Sequence, residues 1–396
     1  MAGSKPLAHA TGLKQVIRSF QAQVRPSHTF VFLFFLFLFY QILFDSSTMA
    51  RLSNYLLTLV GAFAFSQGIH AYDYLSPARS SSDALMHWYN QGTGVFNGTG
   101  WWNSAECITA LADMQGLDPT HNFNDTLSNT FEINKDVWTT KSDFYDDEGW
   151  WALAWIKVYD LTHDQKYLSA AEQLFDDMSK GWTTNCNGGI WWDKDKTYVN
   201  AIANELFLSV AAHLATRTWN IKYLNWAVKE WQWFEQSGMI SKNNTINDGL
   251  DGSCKNNGYT VWTYNQGVIL GALIELSKAS FDDSYIVTAR DIAWAAIETL
   301  TDSHGVLHDS CEKGCGGDVS QFKGIFTRNV AQLYTATSDP GLKKFLETNA
   351  QSIWKNDRDS QNRLGLSWAG PYDTADASTQ SSALMALIAA ASVQGS

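Results

Sequence analysis

The chain has 396 residues, 45% of them hydrophobic, with 18 tryptophans and a formal net charge of -12. That length and apolar fraction allow one large domain or two. The acidic balance gives no electrostatic hold on a phosphate backbone, which argues against nucleic acid as a partner, while neutral or cationic partners carry no such penalty.

In chain order, residues 1–71 read as targeting sequence rather than core. Phe30 to Phe44 is almost wholly apolar, but it falls short of the roughly 20 residues that a membrane-spanning helix needs. Met49 to Ala71 has one positive charge, an apolar middle and a small residue at its end, the pattern of a secretory signal peptide. Two such segments in tandem predict translation from Met49, with 1–48 an over-extended start. The alternatives are a weak membrane anchor at Phe30 to Phe44 or an unusually long leader. Residues 72–396 then form a single mature domain, secreted or held in the cell wall. Sequons at Asn97, Asn124 and Asn243 agree with export. In an oxidising compartment Cys311 and Cys315 close a short loop, Cys186 and Cys254 tie two longer ones, and Cys107, in an apolar helical run, stays free and buried. No histidines stand at ligand spacing from the Cys-x3-Cys pair, so no metal and no cofactor are expected.

From Tyr72 onward, apolar residues recur at intervals of three and four, as in Leu174, Phe175 and Met178. The periodicity predicts twelve helices, at 80–93, 102–115, 121–138, 144–160, 165–180, 197–216, 220–236, 261–278, 282–300, 320–337, 341–355 and 375–391. No alternating strand pattern competes with them. Long links rich in Gly, Asn, Asp and Trp, at 181–195, 241–259, 302–318 and 364–374, alternate with short ones such as 159–165 and 217–221. Six helical hairpins closing into a ring would need that alternation, and it would gather the long loops at one end, where ligand-binding residues collect. A linear solenoid would show a fixed-length repeat, and none is present. The final stretch S-S-A-L-M-A-L-I-A-A-A-S-V-Q-G-S resembles a packed helix more than a lipid-anchor signal.

Within this all-α frame the stretch F-Y-D-D-E-G-W-W-A-L-A-W, residues 144–155, places adjacent carboxylates among aromatic rings. Asp146 and Asp147 at a helix start would ordinarily be first-turn charges. Their company argues otherwise, since carboxylates crowded together among rings are costly and push each other's pKa values apart. Such a pair suits glycoside chemistry: a retaining glycosidase needs a nucleophilic carboxylate and a protonated acid about 5 Å apart. Asp176-Asp177 and Asp282-Asp283 lack that aromatic setting and read as solvated surface or cap charges. Trp102, Trp150, Trp151 and Trp192 sit beside polar loop residues, where indoles could carry sugar C–H faces. Asn103, Asn204, Asp248, Asn265, Gln266, Lys323, Arg328 and Trp368 are further candidates to bind sugar hydroxyls; the competing reading for each is capping or a buried amide network. His213, mid-helix among Ala and Leu, reads as a core histidine.

The motifs N-G-T-G-W-W-N-S-A at 97–105, Y-D-D-E-G-W-W-A-L-A-W at 145–155, G-G-I-W-W at 188–192, Y-N-Q-G at 264–267 and F-K-G-I-F-T-R at 322–328 resemble those of glycoside hydrolase family 76, the endo-α-1,6-mannanases. The resemblance runs from Tyr72 to the C-terminus. It implies an (α/α)6 barrel acting without a metal, with α-1,6-linked mannan or a mannose-containing cell-wall glycan as substrate. It further implies retention, with Asp146 as nucleophile and Asp147 as acid/base; separately, a monomeric protein is expected. The family also includes cell-wall proteins resembling transglycosidases that act on the mannose core of GPI anchors, which is the alternative activity. A carbohydrate-binding protein without catalysis would use the same Trp and Asn residues but would not need the two aspartates.

Overall fold

The structure, a computed structural model, describes residues 72–312, 314 and 317–394. The expectations for 1–48, for the signal peptide at 49–71 and for Cys315 lie outside the described residues. Among the described residues twelve α-helices follow in order: α1 (Leu75–Leu85), α2 (Trp101–Leu117), α3 (Asn124–Asn134), α4 (Tyr145–Thr162), α5 (Gln165–Met178), α6 (Ala201–Thr218), α7 (Ile221–Gln236), α8 (Thr263–Ser280), α9 (Ser284–Leu300), α10 (Val319–Thr337), α11 (Pro340–Asn356) and α12 (Ala377–Ser392). The even-numbered helices pack side by side in a closed ring, α2 on α4 and so on to α12, which meets α2 again. The odd-numbered helices cover this ring from outside, and α1 completes the sixth hairpin by packing on α12. This is the predicted (α/α)6 barrel.

Burial separates the two layers. Inner helices are enclosed on every side, as α12 is from Ala377 to Ala390, which suits their small and apolar residues. Outer helices bury one stripe, as α5 does with Tyr167, Leu168, Ala171, Leu174, Phe175 and Met178. Close ring contacts need glycine: a Cβ on Gly324 of α10 would lie 2.5 Å from the Cα of Ser382 on α12, and one on Gly267 of α8 would lie 2.6 Å from the Cα of Phe326 on α10.

The short links have a common construction. Helices α4, α6, α8 and α10 end on His163, Trp219, Phe281 and Ser338, all left-handed at φ between 54° and 57°. In three of the four links the next residue, Asp164, Asn220 or Asp339, accepts the backbone N–H two residues on and starts the outer helix. Two residues thus reverse the chain. Because α4, α6, α8 and α10 are followed by such reversals, α2 by the link at 118–123, and every outer helix by a longer excursion, all six inner helices run the same way and their N-termini share one mouth.

The first predicted helix needs correction. It lies at Leu75–Leu85, and the expected continuation to 93 is instead a 3-10 turn and a two-stranded hairpin pairing Tyr89 with Phe96 and Asn90 with Val95. Gly94, at φ +69°, supplies the turn that no helix would accept. Cys186 and Cys254 form the expected disulfide, and Cys107 is free and buried. No helix among the described residues is long and apolar enough to cross a membrane.

Candidate active site

Asp146 and Asp147 occupy the first turn of α4, at the mouth where the inner helices begin. The adjoining loop holds them in place by backbone pairing. Tyr145 N–H donates to the carbonyl of Trp192 (2.8 Å), and Trp192 N–H donates in turn to the carbonyl of Tyr198 (2.8 Å). Pinned on both sides, Trp192 aims its indole Nε1 at Asp146 Oδ2, 3.0 Å away, while the amide of Asp147 donates to Asp146 Oδ1 at 3.2 Å.

Both carboxylates are half-buried: solvent reaches them from the mouth, and the surrounding protein strips much of their hydration. Burial, followed by the adjacent charge of Asp147, pushes Asp146 well above the ordinary aspartate range, against the pull of the Trp192 donor. Burial also raises Asp147, to about 6, opposed by the Ser142 hydroxyl and assisted by the charge of Asp318. Near neutrality the pair therefore tends to carry one proton and one charge. Burial favours the proton on Asp146, whereas two donors converging on its two oxygens favour the charge there.

A further carboxylate, Asp248, is linked to the pair through Tyr198, whose ring meets that of Trp192. Asp248 accepts Tyr198 Oη at 2.6 Å and Trp262 Nε1 at 3.0 Å, and Asn257 Nδ2 donates to Tyr198 Oη at 2.7 Å. Asp318, exposed at the start of α10, accepts Trp102 Nε1 at 3.0 Å. Between these groups runs an aromatic floor. Tyr264 stacks on Phe322 with centroids 3.8 Å apart, Trp102 stacks on Trp150 at 5.3 Å, and Trp262 meets the edge of Phe322 at 5.6 Å. The half-buried rings of Trp102, Trp262 and Tyr264, backed by buried Trp150 and Phe322 and set beside fixed carboxylates, match what a pyranose presents, apolar C–H faces and a rim of hydroxyls.

Of the predicted sugar-binding residues, Trp102, Trp192 and Asp248 are at this mouth with accessible surface, and Trp150 is the buried underside of the floor. The others serve the scaffold. Trp151 is enclosed by Trp101, Trp138 and Trp155. Asn103 caps its own helix through Gly100 N–H and donates to Gln321 at 2.6 Å. Buried Asn204 takes the N–H of Ile190 and returns a bond to its carbonyl; Gln266 does the same for Ile246. Each amide thus locks a mouth loop onto an inner helix. Asn265 is fully buried with no hydrogen-bond partner for its amide. Lys323, buried, pairs with Glu312, donates to the Leu366 carbonyl at 2.6 Å and covers the ring of buried Trp368. Arg328 lies further along α10, paired with Glu106 at 2.8 Å beside a cavity of about 250 Å³ near the opposite ends of the inner helices, lined also by His213, Arg217 and Glu275. His213 is a core residue there, its Nδ1–H donating to the Ser209 carbonyl at 2.8 Å, and burial pushes it down to about 4.

Tyr198 and Asp318 escaped the sequence reading, because a Tyr in K-T-Y-V-N and an Asp in G-G-D-V-S carry no spacing that marks them. Asp177 is also not a plain surface charge: it takes Lys194 Nζ at 3.0 Å, and the same ammonium lies 2.7 Å from Glu148, next to the catalytic candidates. Among the described residues no cluster of three or more His, Cys, Asp or Glu side chains has metal-binding geometry.

Comparison with known proteins gives a consistent result. A family model described as glycosyl hydrolase family 76 matches residues 74–395. The mannan endo-1,6-alpha-mannosidase DFG5 of Candida albicans is 24% identical over 326 residues, covering 73% of this chain and 72% of the relative. A putative mannan endo-1,6-alpha-mannosidase of Schizosaccharomyces pombe is 25% identical over 325 residues, covering 74% and 73%. The solved alpha-1,6-mannanase GH76A of a Salegentibacter species superposes with a TM-score of 0.74 at 25% identity, over 81% of this chain and 99% of that one. An inactive variant of that mannanase, with two consecutive aspartates replaced by alanine and alpha-1,6-mannotetrose bound, gives 0.71 at 25% identity over the same shares.

Proposed function

The chain belongs to glycosyl hydrolase family 76, and from that membership we propose that it cleaves α-1,6-mannosidic linkages within mannan, with retention, through Asp146 and Asp147. The observation that carries this reading is the adjacent carboxylate pair at the barrel mouth, with Trp192 donating to one member and an aromatic floor beside it. The sequence holds three Asp-Asp pairs, and only this one stands at the start of an inner helix. The inactive relative, altered at two consecutive aspartates, supports the same pair.

In the reaction, Asp146 attacks the anomeric carbon as ionised nucleophile, its charge held by Trp192 and the Asp147 amide. The glycosidic C–O bond breaks while Asp147 gives its proton to the departing oxygen. Asp147, now ionised, takes a proton from water as that water attacks the glycosyl ester and frees Asp146. A sugar hydroxyl in place of water would give transfer. Export supports a cell-wall or secreted setting for this substrate: Asn97, Asn124 and Asn243 are all exposed, and the Cys186–Cys254 disulfide is of the kind that persists in an oxidising compartment.

The test is the product profile on unbranched α-1,6-mannan, with and without an added glycan acceptor, for the wild type and both Asp→Asn variants. Short α-configured mannooligosaccharides that vanish in both variants support the reading. Products only with acceptor would move it to transglycosylation, and β-configured products would remove retention. An aryl mannoside with a good leaving group separates the roles: it should restore bond cleavage in Asp147→Asn and not in Asp146→Asn.

A further inference from the structure

Away from the two aspartates, the loop from α11 to α12 gathers oxygens with too little positive charge. Asp357, at the end of α11, has a side chain wholly shielded from solvent; the backbone N–H of Gly365 acts on its carboxylate, but neither oxygen has a partner at full hydrogen-bond geometry. A buried carboxylate so short of donors is strongly disfavoured unless a cation or proton compensates it. Two further oxygens converge on the same place. A Cβ built on Gly365 would lie 2.6 Å from Asp357 Oδ1, 3.0 Å from the Thr374 carbonyl oxygen and 3.2 Å from Asp373 Oδ1. Asp373 Oδ1 is itself fixed by the Thr374 N–H at 2.6 Å. Three oxygens from two points of the chain therefore meet over a bare α-carbon.

The neighbouring ammonium does not balance them. Lys323 is already engaged by Glu312 and by the Leu366 carbonyl, and its charge is shared among Glu312, Asp309 and Asp357. Among the described residues, four carboxylates, those of Asp309, Glu312, Asp357 and Asp373, thus act on or beside one ammonium. Burial is the largest influence on Asp357 and holds it up at about 8, with the charge of Asp373 adding and that of Lys323 opposing.

We propose that Asp357, Asp373 and the Thr374 carbonyl form a binding site for a divalent cation, calcium by its ligand set. Two carboxylates and a backbone carbonyl in an irregular arrangement suit calcium, which accepts six to eight oxygens in flexible geometry, whereas magnesium demands a near-octahedral shell. Exposed Asp373 gives the ion a path from solvent and room for waters to complete its shell. Binding displaces any proton on Asp357. The ion would fasten the 365–374 loop to the end of α11. That loop carries Leu366 and Trp368, which hold Lys323 next to Phe322 of the aromatic floor, so the site supports a wall of the mouth without touching the reacting atoms.

The test uses the full-length protein dialysed against EDTA. Terbium, a luminescent calcium substitute, should emit under tryptophan excitation, and calcium should quench that emission by displacement. Calcium at about 100 times its dissociation constant should raise Tm by about 5 °C, with magnesium giving a smaller shift. Asp373→Asn, on the exposed side and without risk to the core, should abolish both signals while leaving the far-UV spectrum unchanged; Asp357→Asn should do the same. Absence of terbium emission and of a calcium-dependent Tm shift in the wild type would overturn the proposal. So would undiminished signals in Asp373→Asn.

Discussion

In the proposed mechanism, Trp192 is the residue on which the chemistry of the pair turns. Its indole N–H stabilises the charged form of Asp146 and opposes the effect of burial, so Trp192→Phe keeps the ring and loses the donor. A hydrogen bond to a charged group contributes about 1.5–3 kcal/mol, and the variant should lose roughly 10- to 100-fold in kcat/KM. Losing the donor raises Asp146 further, so the acid limb of the pH profile should move to higher pH. An unmoved limb would mean that Trp192 only packs. The alkaline limb should follow loss of the pair's last proton, and Asp147→Asn should lower kcat on mannan by about 10³-fold while removing that limb. The pair's position at a helix start among aromatic rings was legible in the sequence, and it stood out because charge amid dense aromatics is costly without a use. Asn204 and Gln266 were not separable from sugar ligands, since an amide that locks a loop and an amide that binds a hydroxyl are the same residue beside the same kind of loop. The difference lies in their burial and in the backbone atoms of Ile190 and Ile246 that they face.

Between elements, the inner ring depends on close approach rather than on large side chains. Gly324→Ala would push a methyl group into the backbone of Ser382, and overpacking of this kind costs about 1–3 kcal/mol. Thermal unfolding should show the loss, whereas an unchanged Tm would mean that α10 and α12 can separate freely. At the mouth, the Cys186–Cys254 bridge spans 68 residues and joins the loop before α6 to the loop before α8. Replacing both cysteines by serine should cost about 2–4 kcal/mol, seen as a lower Tm that reducing agent does not lower further through this bond. The hairpins themselves were readable, because periodic runs and the alternation of long and short links are local properties. The first helix was misplaced for the opposite reason: its start is set by packing on α12, some three hundred residues away in sequence, and its end by the Gly94 turn.

For the whole molecule, ring closure decides where chemistry can occur. Uniform direction of the inner helices brings residues from α2, α4, α8 and α10 and from the loops before α6 and α8 to one mouth, an outcome that link lengths predict and individual motifs do not. Enclosing so many polar groups also sets how stability responds to pH. Burial raises Asp147 and Asp309 to about 6 and Asp357 to about 8, above the ordinary aspartate value near 4 that they regain on unfolding. The folded state then binds more protons than the unfolded chain, so these groups favour folding fully below about pH 4 and lose that contribution as pH rises through 6 and then 8. His213 opposes them at the acid end: depressed to about 4, it favours folding above pH 6.5 and loses that contribution as pH falls through 4. From pH 4 to 6.5 the two trends offset. Above 6.5 His213 is constant and Asp357 continues to ionise, joined towards higher pH by Glu148, which burial holds up at about 9, while burial that lowers Lys323 acts against them. In EDTA, the Tm should therefore fall between pH 6.5 and 8.5, and the fall should be smaller in Asp357→Asn, which cannot ionise. Equal slopes in the two proteins would show that Asp357 is already charged and compensated in the folded state.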